Sequence, residues 1–191
     1  GQRALTVALG LSLAYVAWSG VAKWRVEAIA ADNLLALGLQ DAPRVSVPMP
    51  FTTLLWRVVV MTPDGFLEGE RSLVADTGPM HFRAYASDTA AFAAVADYPA
   101  VSALRGFTHG FLKAQVREDR VVLSDLRMGA EPDYSFRFAV AEAEGDGWRP
   151  MPVEQMKWPW AASRRLPDLW RRIWVQPEPA GPAQAQAAAG S

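Results

Sequence analysis

Cysteine is missing from the chain altogether, and only two of its 191 residues are histidine. Disulfides, thiolate metal sites and a cysteine nucleophile are therefore excluded, while the redox compartment stays open because the absence fits either side. The histidines, His81 and His109, lie far apart and outside any HExxH-like spacing, so no helix face presents a pair of imidazole ligands. A surplus of charge is lacking as well: 19 Lys+Arg stand against 20 Asp+Glu, for a net charge of -1. Without a positive field to gather phosphates, no nucleic-acid partner is expected. No G-x-S-x-G elbow, Gly-rich phosphate loop or paired-carboxylate motif occurs. Nucleophilic, phosphoryl and glycosidic chemistries thus have no local support.

What the chain does have is apolar mass, 51% hydrophobic residues, enough for one well-cored domain. Residues 4–22 carry no charge and are followed by Lys23, Trp24 and Arg25. That is roughly the 20-residue length that spans a bilayer, with interfacial side chains behind it. Residues 1–27 read as a membrane-anchoring helix. A long buried core helix is the alternative, and Ala28-Ile29-Ala30 leaves a signal peptide as a further one. The opening Gly1-Gln2-Arg3, with no initiator methionine, reads as the continuation of an upstream segment. Arg3 before the run against Lys23 and Arg25 after it leans toward a cytoplasmic extramembrane domain.

Residues 28–50 are expected to continue the helix to Leu37, end it at Gly38, and pass through a Pro-rich extended linker over residues 41–50. A soluble α+β domain is assigned to residues 51–175, its fold starting near Val45, and a disordered tail to residues 176–191. Within the domain, residues 54–61 and 66–73 flank Thr62-Pro63-Asp64-Gly65 as a first hairpin. Residues 87–96 are predicted helical, with a further helical turn over residues 99–104. A second hairpin joins residues 107–116 and 120–126 through Arg117-Glu118-Asp119. Tyr134, Phe136, Phe138 and Val140 alternate with smaller or polar residues as a half-buried strand ending at Gly145-Asp146-Gly147, and residues 167–175 suggest a short helix. The sum is an antiparallel sheet of about five strands with flanking helices.

The side chains with chemistry each carry a bland and a sharp reading. Arg57 falls near Glu68 and Glu70 in the first hairpin, as an exposed cross-strand pair worth under ~1 kcal/mol or as an anion contact. Turning the second hairpin at Glu118 and Asp119 puts Leu112, Ala114, Val116, Val121, Leu123, Asp125 and Arg127 on one face. Asp125 and Arg127 then form a buried ion pair or a ligand-binding pair. His109, at period two with Phe107 and Phe111, reads as a core-edge histidine or a ligand. Trp158, Trp160, Trp170 and Trp174 are interleaved with Lys157, Arg164, Arg165, Arg171 and Arg172. Together with Trp24 they suit a membrane headgroup layer, or simple packing on the sheet.

Four phrases taken together resemble the C-terminal region of the bacterial LexA-binding, inner-membrane-associated metal-dependent hydrolase family. They are Pro48-Met49-Pro50-Phe51 running into Leu55-Trp56-Arg57-Val58, Gly65-Phe66-Leu67-Glu68-Gly69, Arg105-Gly106-Phe107-Thr108-His109-Gly110-Phe111, and Ser124-Asp125-Leu126-Arg127-Met128-Gly129. The likeness runs from about Ala4 to Val140, with Thr52 departing from the Asn expected after the Pro-Phe pair. It implies a bacterial inner-membrane location and an upstream membrane-spanning region whose His and Asp residues hold a divalent metal. None of those ligands has a counterpart here, so no metal ligand and no cofactor is assigned to this chain. The partners implied are the lipid bilayer and the upstream region, with this domain as accessory or substrate-capturing unit. The alternative is a non-enzymatic, membrane-anchored interaction module that binds a regulatory protein such as LexA.

Overall fold

The computed structural model describes residues 1–157 and 162–177. Helix α1 (Gln2–Ala36) is unbroken, and by length and composition its apolar stretch is long enough to cross a membrane. The two halves of α1 meet different surroundings. Residues 2–18 are exposed all round, whereas Ala22, Val26, Ala30 and Leu34 are buried. The spacing of four lines these side chains into one ridge, the surface a helix uses to pack against a neighbour. The helix ends as Gly38 demands: Gly38 takes φ 71, its N–H bonds to the Leu35 carbonyl, and the Leu39 N–H reaches the Leu34 carbonyl. This is a Schellman closure, which satisfies carbonyls that the helix end leaves free.

The ridge of α1 sits on a four-stranded antiparallel sheet of β1 (Arg44–Pro48), β2 (Leu55–Thr62), β3 (Gly65–Ser72) and β4 (Phe82–Ala86), ordered β1-β2-β3-β4. Residues 41–50, expected as a linker, therefore contain a strand. It is an edge strand, where proline is tolerated, with Pro48 at its end. Trp56, Val58 and Val60 point to α1, and Glu27 of the helix accepts hydrogen bonds from Arg44 Nε at 3.1 Å and Ser46 Oγ at 2.6 Å. The opposite face alternates in the other phase and carries Val47, Arg57, Glu68, Glu70, Arg83 and Tyr85. Gly65 closes the hairpin against β4: a Cβ there would lie 2.1 Å from the Tyr85 carbonyl oxygen.

Helices α2 (Thr89–Val95) and α3 (Pro99–Thr108) follow. Asp88, one residue beyond the expected start, caps α2 by accepting the Ala91 N–H at 2.8 Å. The helix α3 runs on through Phe107 and Thr108, where a strand is predicted from the sequence. His109 is its left-handed C-cap at φ 53. Only then does β5 (Leu112–Arg117) begin, turning through Glu118 and Asp119, both at positive φ, into β6 (Arg120–Asp125). A two-residue turn with both φ positive matches the twist of the strands it joins.

A two-stranded ribbon of β7 (Gly129–Ala130) and β8 (Asp133–Tyr134) separates β6 from β9 (Arg137–Glu144) and β10 (Gly147–Gln155). The alternation read over residues 134–140 thus belongs to two elements, broken at Ser135 and Phe136. A bulge opposite Val121 and Val122 then lets Ala139, Val140 and Ala141 all be buried. The second sheet, ordered β10-β9-β6-β5, packs Val121, Leu123 and Val140 against Ala91, Val95 and Val101 of the helices. Finally α4 (Ala162–Trp174) returns to the first sheet, burying Ile173 against Met49 and Leu55. The architecture is α+β, its strands divided between two sheets and the ribbon.

Candidate functional site

The charged face of the first sheet forms one wall of a cleft of about 950 Å³. The ribbon supplies a second wall through Met128, Glu131 and Ser135, and the segment 48–51 together with Leu169 and Arg172 of α4 frames the rest. Arg57 lies at its base, fully buried (0% exposed). It donates to Glu68 Oε2 at 2.8 Å and to the Leu126 carbonyl oxygen, while its Nε has no hydrogen-bond partner. The exposed ion pair read from the hairpin register is therefore a buried one. Register places Arg57 opposite Glu70, and the guanidinium reaches diagonally to Glu68 because Glu70 is taken by Arg172 at 3.2 Å.

Around this pair a polar network crosses between the sheets. The Tyr134 hydroxyl stands 3.5 Å from Glu68 Oε2, and Glu131 of the ribbon accepts Lys113 Nζ from β5 at 2.8 and 2.9 Å. Lys113 also lies over the Phe66 ring at 5.8 Å. Burial pushes the Tyr134 hydroxyl well above its ordinary pKa, with the Glu68 charge adding to the effect. Tyr85 is raised for the same reasons.

Glu68 itself is raised above the usual carboxylate range, burial outweighing the opposing pull of Arg57. Such a group binds its proton more tightly folded than unfolded. Its contribution to stability is therefore complete below the ordinary glutamate value and is lost as pH rises through the raised one. Thermal midpoints across that interval should fall with rising pH for the native chain and fall less for Glu68→Gln. A native chain that gains stability there would contradict the assignment.

Asp125 and Arg127 come together as the sequence register implies, with Leu112 opposite Asp125 and Ala114 opposite Leu123. Asp125 is 2% exposed and accepts from Arg127 N, Nε and Nη2 at 2.9, 3.0 and 2.8 Å. Arg127 lies beyond the end of β6 and bends back over this carboxylate. It stays firmly cationic through that bond, covers the Phe107 ring at 5.0 Å and lines the cleft.

The other candidates lie elsewhere. His109 is exposed at the end of α3 and its ring is not part of a Phe107–Phe111 face; neither it nor His81 lines this cleft. Trp24 is 72% exposed on α1, away from the sheet. Trp170 and Trp174 are exposed on α4 and meet edge to face at 5.7 Å. Trp158 and Trp160 lie outside the described residues, as does the tail from residue 178. Among the described residues no group of three or more His, Asp or Glu side chains is arranged to hold a metal ion.

Sequence reasoning missed Arg83, Tyr85, Lys113, Glu131 and Tyr134 as members of the network. The available signal was the phase of β3: Phe66, Glu68 and Glu70 share one face, which makes that face a charged interior once a second layer covers it. Chemically the cleft offers paired charges, phenols and an apolar rim, which suits recognition of a ligand carrying both charge and apolar surface. No family model, curated protein or solved structure matches this chain.

Proposed function

We propose that this chain is the extramembrane, substrate-capturing domain of a bacterial inner-membrane protein, held to the bilayer by the first half of α1. The observation that carries this reading is the division of α1. Its first residues offer apolar surface on every side with nothing among the described residues to cover it, and the same unbroken helix then packs as a core element. A helix apolar all round is stable in lipid and costly in water. Capture rather than catalysis is the role because the cleft gathers ion pairs and phenols around an apolar rim. The likeness to the LexA-binding, inner-membrane-associated metal-dependent hydrolases supports assigning the chemistry to an upstream membrane-embedded region, and the charges flanking the apolar run, Arg3 against Lys23 and Arg25, support a cytoplasmic domain.

The full chain is expected to float with liposomes through a density gradient and to require detergent for extraction. Full-length protein recovered as a soluble monomer from buffer alone would overturn the anchor. Reading the coding sequence upstream of Gly1 tests the hydrolase assignment separately: membrane spans with clustered His and Asp are expected. An unrelated upstream region would remove the enzyme and leave the capture role standing.

A further inference from the structure

The side chains of α4 sort into two ridges. Leu169, Arg172 and Ile173 turn inward: Leu169 and Ile173 pack with Met49, Leu54 and Leu55, and Arg172 pairs with Glu70 and Asp76. Leu166, Trp170 and Trp174 follow one another at intervals of four, which at about 100° per residue stacks them on the flank beside the packed ridge. All three are exposed, Trp170 at 65%, and the two indole rings meet edge to face at 5.7 Å. The helix thus has more apolar surface than the sheet takes from it.

This flank lies at the end of the first sheet where α1 leaves the domain. Trp18 Nε1, on the last turn of the bare half of α1, donates to Thr53 Oγ1 at 3.1 Å. Thr53 belongs to the segment whose Met49 and Leu54 hold α4. At the same end Ser72 Oγ, on the last residue of β3, donates to the Ile173 carbonyl at 2.6 Å, and the Leu73 N–H donates to the Leu54 carbonyl at 2.8 Å. Two loop tips there are apolar and bare, Phe51 at 84% exposure and Val74 at 54%. Single exposed apolar residues are ordinary, but a set gathered around an anchoring helix marks a membrane contact.

Cations crowd the same end. Lys23 and Arg25 are exposed on α1 just beyond Trp18, and Arg171 is exposed on α4. Burial lowers the pKa of Arg71, Asp76 opposes that, and the charges of Arg25 and Arg172 add to the lowering. Exposed tryptophans among basic side chains suit a headgroup layer containing anionic phospholipid.

We propose that α4 is a second membrane contact, its Leu166, Trp170 and Trp174 flank lying in the headgroup layer of an anionic bilayer with Phe51 and Val74 beside it. The inference rests on the anchor reading above. Held at α1 and again at α4, the domain does not swivel freely about its anchor. The cleft, which α4 and segment 48–51 frame, is kept at the lipid surface.

The chain has no cysteine, so single labels can be placed on it in full. Val74→Cys and Val175→Cys, both at exposed sites, and Asp64→Cys at the far turn of the first hairpin would each carry an environment-sensitive fluorophore. In vesicles of phosphatidylcholine and phosphatidylglycerol at three to one, a lipid with a shallow nitroxide should quench the first two labels several-fold more than the third. Trp170→Ser combined with Trp174→Ser should leave flotation unchanged and cut that quenching several-fold, and so should omission of phosphatidylglycerol. On a chain that floats, quenching equal at all three sites, or indifferent to the tryptophan pair, would overturn the α4 contact and leave the anchor standing. A blue shift without quenching would mean that a second copy or another segment covers the flank, and would overturn the bilayer as its occupant. Equal quenching without phosphatidylglycerol would overturn the anionic headgroup. Failure of the chain to float with the vesicles would overturn the anchor reading and this inference with it.

Discussion

Replacing Arg57 by methionine is expected to lower the melting temperature by on the order of 10 °C, the largest effect of any single substitution in the charged face. The guanidinium is fully buried and joins both sheets, holding Glu68 on one side and the Leu126 carbonyl on the other. Removing it strands a carboxylate that is only 9% exposed, a loss of about 3–5 kcal/mol for a broken buried pair. Glu68 then takes up a proton, toward which burial already drives it, so the defect should deepen with rising pH. The double change Arg57→Met with Glu68→Leu should recover most of the loss, because a buried pair replaced by apolar side chains leaves no charge behind. Asp125→Ala should cost less, about 1–3 kcal/mol, since Arg127 is 23% exposed and can turn to solvent. This order reverses the one implied by an exposed Arg57. Differential scanning calorimetry of the variants decides it, and an Arg57→Met midpoint equal to the native one would mean that the guanidinium is solvated.

A chain begun at Arg44 is expected to lose cooperative folding, whereas one begun at Val21 should be a soluble monomer with a sharp melt. The sequence suggests a domain starting near Val45, with everything before it dispensable. The packing moves that boundary: Val26 and Leu34 are fully buried on Trp56, Val58 and Val60, with Ala22 and Ala30 buried on the same ridge. Burial of the two larger side chains alone stabilises by about 3–6 kcal/mol. That is comparable with a whole domain's net stability of about 5–15 kcal/mol. The cut at Arg44 would also expose the apolar face of β2 and leave Ser46 without Glu27. Urea denaturation with size-exclusion chromatography of the two truncated chains makes the comparison. Equal stability and equal solubility would show that α1 contributes nothing to the core.

Local chemistry was readable wherever neighbours in sequence decide the outcome. Gly38 ends its helix, Pro63-Asp64 turns the first hairpin, and the pairing of Leu112 with Asp125 follows from the turn at Glu118 and Asp119. What was hidden depends on layers that meet from afar. Arg57 looks like a surface residue until the ribbon and Leu126 cover its face, contacts 69 residues distant that no local period encodes. Phe107 and His109 suit a strand by alternation, yet Pro99 at the first turn and Gly110 after the cap favour the helix that forms. Strand β10 was hidden by Pro150 and Pro152, which an edge strand with a shifted register accommodates. The cleft is a product of these distant layers, so its members could be listed singly from sequence but not assembled.

The unbroken passage of α1 from its bare half into the sheet has a mechanical side. Between residue 18 and Ala22 there is no glycine hinge with open φ, no proline and no loop, so twist applied at one end reaches the other. The helix is a torsion shaft, and with its first half held in a bilayer, as proposed, a residue count sets the compass heading of the cleft about the membrane normal. Inserting one residue in this stretch would swing the domain by about 100° and raise it by about 1.5 Å relative to whatever the first half of the helix grips. Inserting seven would bring it back nearly into phase, but roughly 10 Å further from the first half of the helix.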